Sequence, residues 1–311
     1  MIIEKLRKNN KVIVNTDLDG IFSALILHHY LNTEIAGFCN SAETVWVDAS
    51  KINSIYDGVY IDMFVPRKDV VCIDQHIIAI DEEHCRAISM LGTKFNPNLD
   101  HPRFHTPSTS YYLKYPFGTV HYIIACMERN GIDINLQLDT LIQPNLFFQD
   151  LLLRADDTMQ TTVESPYKKN AQAWWDWLKD FSHNGITVTK LCNYLYSLTN
   201  ADVSKKKTDT TYLLKNTYHT DSPDGGFKHI CDTSGFLQDR VKKYVQFLST
   251  ISRLDVFDLS IKVETHVGAA KRISLTPKQR EKIKGMDSDI FSYAFVRSVE
   301  RAENFSYTKM N

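Results

Sequence analysis

Short apolar runs separated by polar turns dominate the first quarter of the chain. They predict strands near 11–16, 34–38, 44–48, 58–62 and 69–73, with a helix over 20–31 after the first strand. Most of these runs are apolar at nearly every residue rather than at alternate ones, which is the pattern of strands buried on both faces. We therefore expect an α/β fold whose first domain is a mainly parallel sheet flanked by helices.

Longer apolar patterns with helical spacing follow. They predict helices over 108–130, 144–156, 166–181 and 236–252. The third helix carries Trp174, Trp175 and Trp177, and a tryptophan cluster of this kind is more typical of packing than of a platform for stacked bases.

Residues 202–211 contain three consecutive lysines and few large apolar side chains. This composition is typical of a solvated loop, although a lysine run that faces a cleft can also follow a phosphate backbone. We therefore predict two domains, 1–200 and 201–311, of which the second is smaller and either mixed α/β or helical.

Composition and charge indicate a soluble, cytoplasmic protein. The chain has 311 residues, 43% of them apolar, and a net charge of -1, so it can bury a substantial core but has no overall field that attracts nucleic acid. Its six cysteines form no Cys-x-x-Cys pair, which favours buried free thiols in a reducing compartment. We expect no membrane segment, because no signal peptide and no apolar run of about 18 residues is present. A homodimer is compatible with this composition.

Carboxylates follow three of the predicted strands. Asp17 and Asp19 come after the first strand, Asp62 after the fourth and Asp74 after the fifth. The carboxyl ends of parallel strands lie at one edge of a sheet, and carboxylate oxygens there can bind a divalent cation. Aspartates are also typical of turns and helix caps, and Asp19 before a helix fits that alternative. Their occurrence after three separate strands favours a metal site.

In order and spacing these segments resemble the DHH phosphoesterases, a family that includes RecJ-like exonucleases, nanoRNases, cyclic-dinucleotide phosphodiesterases and manganese pyrophosphatases. That family has Asp-x-Asp-Gly after one strand, a lone Asp after a second and Asp-His-His after a third. The matching residues are Asp17, Asp19, Gly20, Asp62, Asp74 and His76. Asn96-Pro97 resembles the stretch that follows the third motif, and Asp156, or the adjacent Asp157, matches a fourth Asp. The resemblance covers roughly the first 165 residues.

The resemblance implies metal-dependent hydrolysis of phosphodiester bonds in single-stranded or short oligonucleotides or signalling dinucleotides, with Mn²⁺ or Mg²⁺ as the cofactor. Asp62 would bridge two cations, Asp74 would orient the site, and His76 would contact a phosphate oxygen or the leaving group. The implied metal-binding residues are Asp17, Asp19, Asp62, Asp156, Asn15 and Gln75.

Asn15 and Gln75 stand where the family usually has metal-binding histidines. Amide oxygens suit harder cations such as Mg²⁺ and bind more weakly than imidazole. Three outcomes are open: one or two Mg²⁺ ions bound with reduced affinity, a single Mn²⁺, or a DHH-like fold that has lost catalysis.

The segment 98–105 brings Arg103 between His101 and His105. Arginine suits bidentate phosphate contacts, whereas no further cysteine or histidine lies nearby at zinc-ligand spacing. We therefore predict that Arg103 and His105 contact a substrate phosphate.

Two other classes compete with this interpretation. A haloacid-dehalogenase-type phosphatase also begins with a strand and Asp-x-Asp-Gly, but its distal Lys and Gly-Asp-x-x-x-Asp segment have no convincing copy here. A non-catalytic DHH-like module that binds nucleic acid, a nucleotide or a protein partner would account for Asn15 and Gln75. In the second half, Gly225-Gly226-Phe227 only faintly resembles the family's substrate-contacting Gly-Gly-x-His run.

Overall fold

Strands and helices alternate along most of the chain. The computed structural model describes residues 2–40, 43–102, 113–136, 166–197, 200–223, 225–285, 289–296 and 304–311. The strands are β1 (Lys11–Asn15), β2 (Glu34–Asn40), β3 (Thr44–Val47), β4 (Val59–Ile61), β5 (Cys72–Ile73), β6 (Lys94–Phe95), β7 (Glu264–Ser274), β8 (Ser292–Val296) and β9 (Asn304–Met310). The helices are α1 (Ile2–Lys8), α2 (Leu18–Leu31), α3 (Glu82–Ser89), α4 (Pro97–Asp100), α5 (Thr119–Arg129), α6 (Pro166–Phe181), α7 (Ile186–Ser197), α8 (Asn200–Thr217), α9 (Asp239–Ser252) and α10 (Pro277–Lys284).

The described strands form one mixed sheet in the order β6-β5-β4-β1-β2-β3-β7-β9-β8. The α/β class and the five strands predicted in the first quarter of the chain are confirmed. Pairing is parallel from β6 to β2 and antiparallel from β2 to β8, so parallel pairing does not extend through the whole sheet. The change occurs at β3 because this strand follows β2 after three residues, too few for the crossover that parallel pairing needs.

Both faces of the parallel half are buried, as its apolar strands predict. Val12 and Val14 of β1 pack in the core that contains helix α2, whereas Ile13 packs in the core on the opposite face. In the described part of the chain, that second core is closed by residues between strands, such as Ile52 and Met63. Helix α2 therefore packs on one face of β1, and residues from irregular segments pack on the other.

Strand β7 joins the last part of the chain to the first. It pairs with β3 through Thr44–Val47 and with β9 from Gly268 to Ser274, so β7, β9 and β8 extend the sheet that begins near the amino terminus. The division into domains 1–200 and 201–311 stays a prediction, and one continuous sheet runs through both ranges.

Residues 202–211 are helical, contrary to the predicted loop. They lie within α8, because lysine is a good helix former and the helix has an inner side to bury. Thr210 and Leu214, four residues apart on that side, are fully buried.

Helix α6 begins and ends at the predicted residues, and its tryptophans pack internally. Trp174 and Trp175 are fully buried, which confirms them as packing residues. The helix predicted over 144–156 lies outside the described residues.

All six cysteines are free thiols, and five of them are buried, as the sequence predicts. Within the described ranges, no helix combines the length and the apolar character needed to cross a membrane.

Candidate functional site

Polar side chains stand at the ends of four adjacent parallel strands. Asn15 is the last residue of β1, and Asp62, Asp74 and Asn96 directly follow β4, β5 and β6. The strands lie side by side in the order β6-β5-β4-β1, so these residues share the carboxyl edge of the sheet. Each of the four is at most 3% exposed. The edge is therefore a buried row of two carboxylates flanked by two amides, which we call the carboxyl-edge row.

Asp62 lies within this row in a conformation that is uncommon for a residue other than glycine. Its φ angle is 59°, and its backbone amide donates to the Ile73 carbonyl at 2.8 Å. Its Oδ2 accepts from Nδ2 of Asn15 at 2.9 Å, and its Oδ1 accepts from the Thr119 hydroxyl at 2.7 Å. Burial raises the pKa of Asp62, while a charge on His76 and these two hydrogen bonds oppose that shift. A backbone of this kind, held in place by hydrogen bonds, is typical of functional sites.

Asp74 and His76 form a close pair. Nδ1 of His76 lies 2.6 Å from Oδ1 of Asp74, and the His76 backbone amide donates to Oδ2 at 3.2 Å. Asn96 supports the turn, because its Nδ2 donates to the His76 carbonyl at 2.8 Å. The Asp74 side chain is 1% exposed and the imidazole 32%. Since Asp74 holds Nδ1, Nε2 is the ring nitrogen that a ligand would contact.

Asp62, Asp74 and His76 are close enough to share one cation. Each offers a potential ligand atom, and these atoms all lie within 4.8 Å of one another. Two atoms that bind the same cation at about 2.1 Å lie at most about 4.2 Å apart. Small side-chain movements would therefore bring the three ligand atoms to binding distance of one cation. A carboxylate oxygen can bind a cation and still accept a hydrogen bond, so the contact with His76 does not prevent Asp74 from being a ligand. The carboxylate oxygens suit Mn²⁺ or Mg²⁺, and an imidazole nitrogen added to them favours Mn²⁺.

The side-chain amide of Asn15 has a defined orientation. Its oxygen accepts the backbone N–H of Thr16 at 2.9 Å. Nδ2 therefore faces the carboxylates, at 3.0 Å from Oδ2 of Asp17 and 2.9 Å from Oδ2 of Asp62. Because an NH₂ group cannot bind a cation, the predicted ligand role of Asn15 requires its side chain to rotate.

Asp17 and Asp19 accept hydrogen bonds at the starts of two helices. Oδ1 of Asp17 accepts from the amide of Gly20 at 2.9 Å and caps α2. The two oxygens of Asp19 accept from the amides of Thr119 and Val120 at 2.6 and 2.8 Å, at the start of α5. Asp17 is therefore the cap of α2, whereas Asp19 lies in the first turn of α2 and caps α5 rather than the helix that follows it, and their roles as metal ligands stay predictions.

Two glycines permit this close packing. A Cβ on Gly20 would lie 2.1 Å from the Asn15 carbonyl oxygen, and one on Gly118 would lie 2.7 Å from Oδ1 of Asp19. The glycine of the Asp-x-Asp-Gly segment is thus required by the contact between α2 and β1. Gly118 likewise lets the α5 amides reach Asp19.

The other predicted site residues either make different contacts or lie outside the described chain. Gln75 is buried, and its carbonyl accepts from Nδ2 of Asn98 at 2.7 Å. His101 packs against Trp174 and Trp177, with ring centroids 5.1 and 5.4 Å apart. Arg103, His105, Asp156 and Asp157 lie outside the described residues.

A cavity of about 300 Å³ lies beside Asp62 and His76. Phe64 contributes to the wall on the side of the carboxyl edge. The opposite wall comes from β7, β8 and β9, including Arg272, Ser292, Tyr293, Ser306, Tyr307 and Thr308. The last part of the chain therefore closes the site that the first part builds.

Thr119 and Arg272 were not anticipated from the sequence. Thr119 follows Gly118 at the start of α5, and a glycine before a helical pattern is a usable start signal. Arg272 lies in a strand with mostly exposed, weakly patterned residues, so no sequence signal connects it to the site.

The segment Gly225-Gly226-Phe227 contacts the connection between β1 and α2. The Thr16 hydroxyl donates to the Phe227 carbonyl at 3.0 Å, and a Cβ on Gly225 would lie 3.3 Å from Cβ of Leu18. This segment therefore packs close to the first carboxylate motif.

No family model, curated protein or solved structure matches this chain.

Proposed function

We propose that this protein is a DHH-like, divalent-metal-dependent phosphoesterase that hydrolyses phosphodiester bonds in single-stranded or short oligonucleotides or in signalling dinucleotides. The observation that carries the proposal is the grouping of Asp62, Asp74 and His76, whose potential ligand atoms lie within 4.8 Å of one another beside a cavity. Two buried carboxylates alone would repel a phosphate. A bound Mn²⁺ or Mg²⁺ would supply positive charge at the phosphate and lower the pKa of water.

The protein's own residues have separate tasks in this proposal. Asp62 and Asp74 hold the cation, and Asn15 and Thr119 keep the Asp62 carboxylate in place through bonds of 2.9 and 2.7 Å. His76, oriented by Asp74, presents Nε2 to a phosphate oxygen or to the leaving group. Asp17, Asp19 and Asp156 remain candidates for binding a second cation.

The test combines metal binding with turnover. The full chain is titrated with MnCl₂ and MgCl₂ by calorimetry and assayed against a labelled single-stranded oligonucleotide, a dinucleotide and pyrophosphate. His76→Asn should lower turnover by about 100-fold or more, because it removes the nitrogen that would contact the phosphate or protonate the leaving group. His183→Asn, at an exposed histidine away from the edge, is the matched control and should leave turnover unchanged.

Cation binding together with turnover that needs His76 supports the proposed phosphoesterase activity. The substrate that is hydrolysed fastest then indicates which group of DHH phosphoesterases the protein resembles in function. A folded protein that neither binds Mn²⁺ or Mg²⁺ nor hydrolyses any of the three substrates refutes it.

A specific observation favours a second candidate, a binding module without catalysis. The Asn15 amide nitrogen lies between the carboxylates of Asp17 and Asp62, at 3.0 and 2.9 Å, and reduces their repulsion without a cation. This candidate predicts nucleotide binding that is unaffected by EDTA, with no hydrolysis.

A further inference from the structure

The side-chain NH₂ group of Asn15 lies where a second cation would bind. Its nitrogen is 3.0 Å from Oδ2 of Asp17 and 2.9 Å from Oδ2 of Asp62. A cation shared by these two oxygens would lie about 2.1 Å from each of them, in the space that the NH₂ group fills. The group has only donor hydrogens on this side, so it repels a cation there.

The backbone N–H of Thr16 determines which end of the Asn15 amide faces the carboxylates. It donates to Oδ1 of Asn15 at 2.9 Å and also to the Cys39 carbonyl at 2.9 Å, just beyond strand β1. Rotation of the amide by half a turn would place its NH₂ group against this N–H and its oxygen against Asp17 and Asp62. Both contacts are unfavourable without a cation, so the observed orientation is the stable one.

The side chain of Thr16 is in turn attached to Phe227, which lies 211 residues further along the chain. The buried Thr16 hydroxyl donates to the Phe227 carbonyl at 3.0 Å and accepts from the Phe227 amide at 3.4 Å. A hydroxyl can donate and accept at the same time, and here it does both toward the backbone of one residue. The position of Phe227 therefore restrains Thr16.

Arg240, at the start of α9, restrains Phe227. Its guanidinium donates to the carbonyls of His219 and His229 at 2.6 and 2.9 Å, and to a carboxylate oxygen of Asp221 at 3.3 Å. It also lies 5.2 Å from the centre of the Phe227 ring. Arginine can make several such contacts together because its donors form a rigid planar fork. Arg240 therefore holds residues on both sides of Phe227 along the chain.

We propose that the Asn15 amide takes the place of a second cation between Asp17 and Asp62. Arg240 holds the amide in this orientation through its restraint on Thr16. Arg240 is therefore a positioning residue for the carboxyl-edge row, and it acts from the last third of the chain without contacting a cation or a substrate.

The group of Asp62, Asp74 and His76 then binds one cation, instead of the two that the DHH resemblance implies. This number rests on the proposed phosphoesterase function. The orientation of Asn15 does not, because its contacts form without a cation. The two statements are therefore tested by separate measurements.

The number of bound Mn²⁺ ions tests whether Asn15 excludes the second cation. In equilibrium dialysis of the full chain against MnCl₂, the parent should bind one Mn²⁺ per chain. Asn15→Asp keeps the shape of the side chain but replaces its NH₂ group by an oxygen, so this variant should bind one more. Asn193→Asp, at an exposed residue of α7, is the matched control and should bind the same number as the parent.

Hydrogen exchange of the Asn15 NH₂ group tests the orientation without a cation. It is measured by nuclear magnetic resonance on the full chain labelled with ¹⁵N-asparagine, and the Asn15 signal is identified by its loss in Asn15→Asp. Thr16→Val and Arg240→Ala should accelerate this exchange by about tenfold or more, because each releases the Thr16 side chain. Thr16→Ser keeps the hydroxyl and should change the rate less than Thr16→Val. Lys243→Ala removes a positive charge from an exposed residue of the same helix and should follow the parent.

Arg240→Lys keeps the charge but not the planar fork, and it replaces Arg240→Ala if that variant does not fold. Unchanged Asn15 exchange in both Thr16→Val and the Arg240 variant overturns the positioning role, whatever the number of cations. An Asn15→Asp variant that binds no additional Mn²⁺, or a parent that binds two of which Asp17→Ala loses one, overturns the exclusion of the second cation. A parent that binds no Mn²⁺ refutes the phosphoesterase, and faster Asn15 exchange in the variants then still supports the role of Arg240.

Discussion

The side-chain nitrogen of Asn15 lies 2.9 Å from a carboxylate oxygen of Asp62 and 3.0 Å from one of Asp17. Asn15 and Asp62 are 3% and 1% exposed, so this contact is sheltered from solvent. Two carboxylates that approach the same point repel each other unless a donor or a cation lies between them. Asn15 therefore helps to keep the acidic edge folded when no cation is bound.

Asn15→Asp should make folding dependent on a cation. The new carboxylate would face Asp17 and Asp62, and we expect a loss of about 1–3 kcal/mol in the free energy of unfolding in EDTA at neutral pH. MnCl₂ should restore much of this loss, since a cation bound to the native state stabilises it. Urea denaturation with EDTA and with MnCl₂ measures both effects.

Asn193→Asp, at an exposed residue of α7, is the control for that experiment and should change neither value. A destabilisation of Asn15→Asp that MnCl₂ leaves unchanged would show that no cation binds near Asn15.

Asp62→Ala should abolish hydrolysis at least as completely as Asn15→Ala. Both the DHH resemblance and the grouping of Asp62 with Asp74 and His76 make Asp62 a candidate ligand of the cation. Asn15 contacts the Asp62 carboxylate through one hydrogen bond. We expect a fall in kcat/KM of at least about 100-fold for Asp62→Ala and a weaker Mn²⁺ affinity. Circular dichroism checks that both variants are folded, and hydrolysis by Asp62→Ala at the parent rate would exclude Asp62 from the site.

Asp19→Ala should destabilise the fold even in EDTA. The substitution removes both acceptors of the Thr119 and Val120 amides at the start of α5, and we expect a cost of about 2 kcal/mol. Asp19→Asn keeps one acceptor oxygen and should cost less. Unchanged stability in EDTA combined with weaker Mn²⁺ binding would instead assign Asp19 to the cation.

Strands β1, β2, β4 and β5 of the parallel half could be predicted because each carries its own signal, whereas β6 (Lys94–Phe95), two residues long, was not predicted. Runs such as the one around Val12, Ile13 and Val14 are apolar at every position, and burial on both faces requires that pattern. Strand β7 gave no such signal, since most of its residues are exposed, and its pairing with β3 depends on contacts between residues far apart in sequence. Helix α8 was predicted as a loop because residues 202–211 contain a lysine run and few large apolar side chains. The buried side formed by Thr210 and Leu214 is too short to give a clear helical pattern in the sequence.

Residues of the site could be predicted only where a carboxylate or amide side chain directly follows a predicted strand. Asp62 and Asp74 share one edge because parallel strands end together, and this relationship can be derived from the sequence. The use of Asp19 by α5 could not be derived, because Thr119 lies 100 residues further along the chain. The same holds for Arg272, whose place in the cavity is set by a strand added to the far side of the sheet.

Stability should fall in acid because of His84, a buried histidine beside α10. Its Nδ1 accepts the backbone N–H of Ile80 at 3.2 Å, and burial lowers its pKa to about 4. The unfolded chain binds a proton near pH 6.5 and the native state only near pH 4, so stability decreases as the pH falls through this window. The expected loss is on the order of 3 kcal/mol. His84→Asn keeps an acceptor for Ile80 and should lose less stability than the parent between pH 6.5 and 4, whereas the exposed control His183→Asn should follow the parent. Urea denaturation across this range measures the difference, and equal slopes for His84→Asn and the parent would show that His84 is already protonated in the native state.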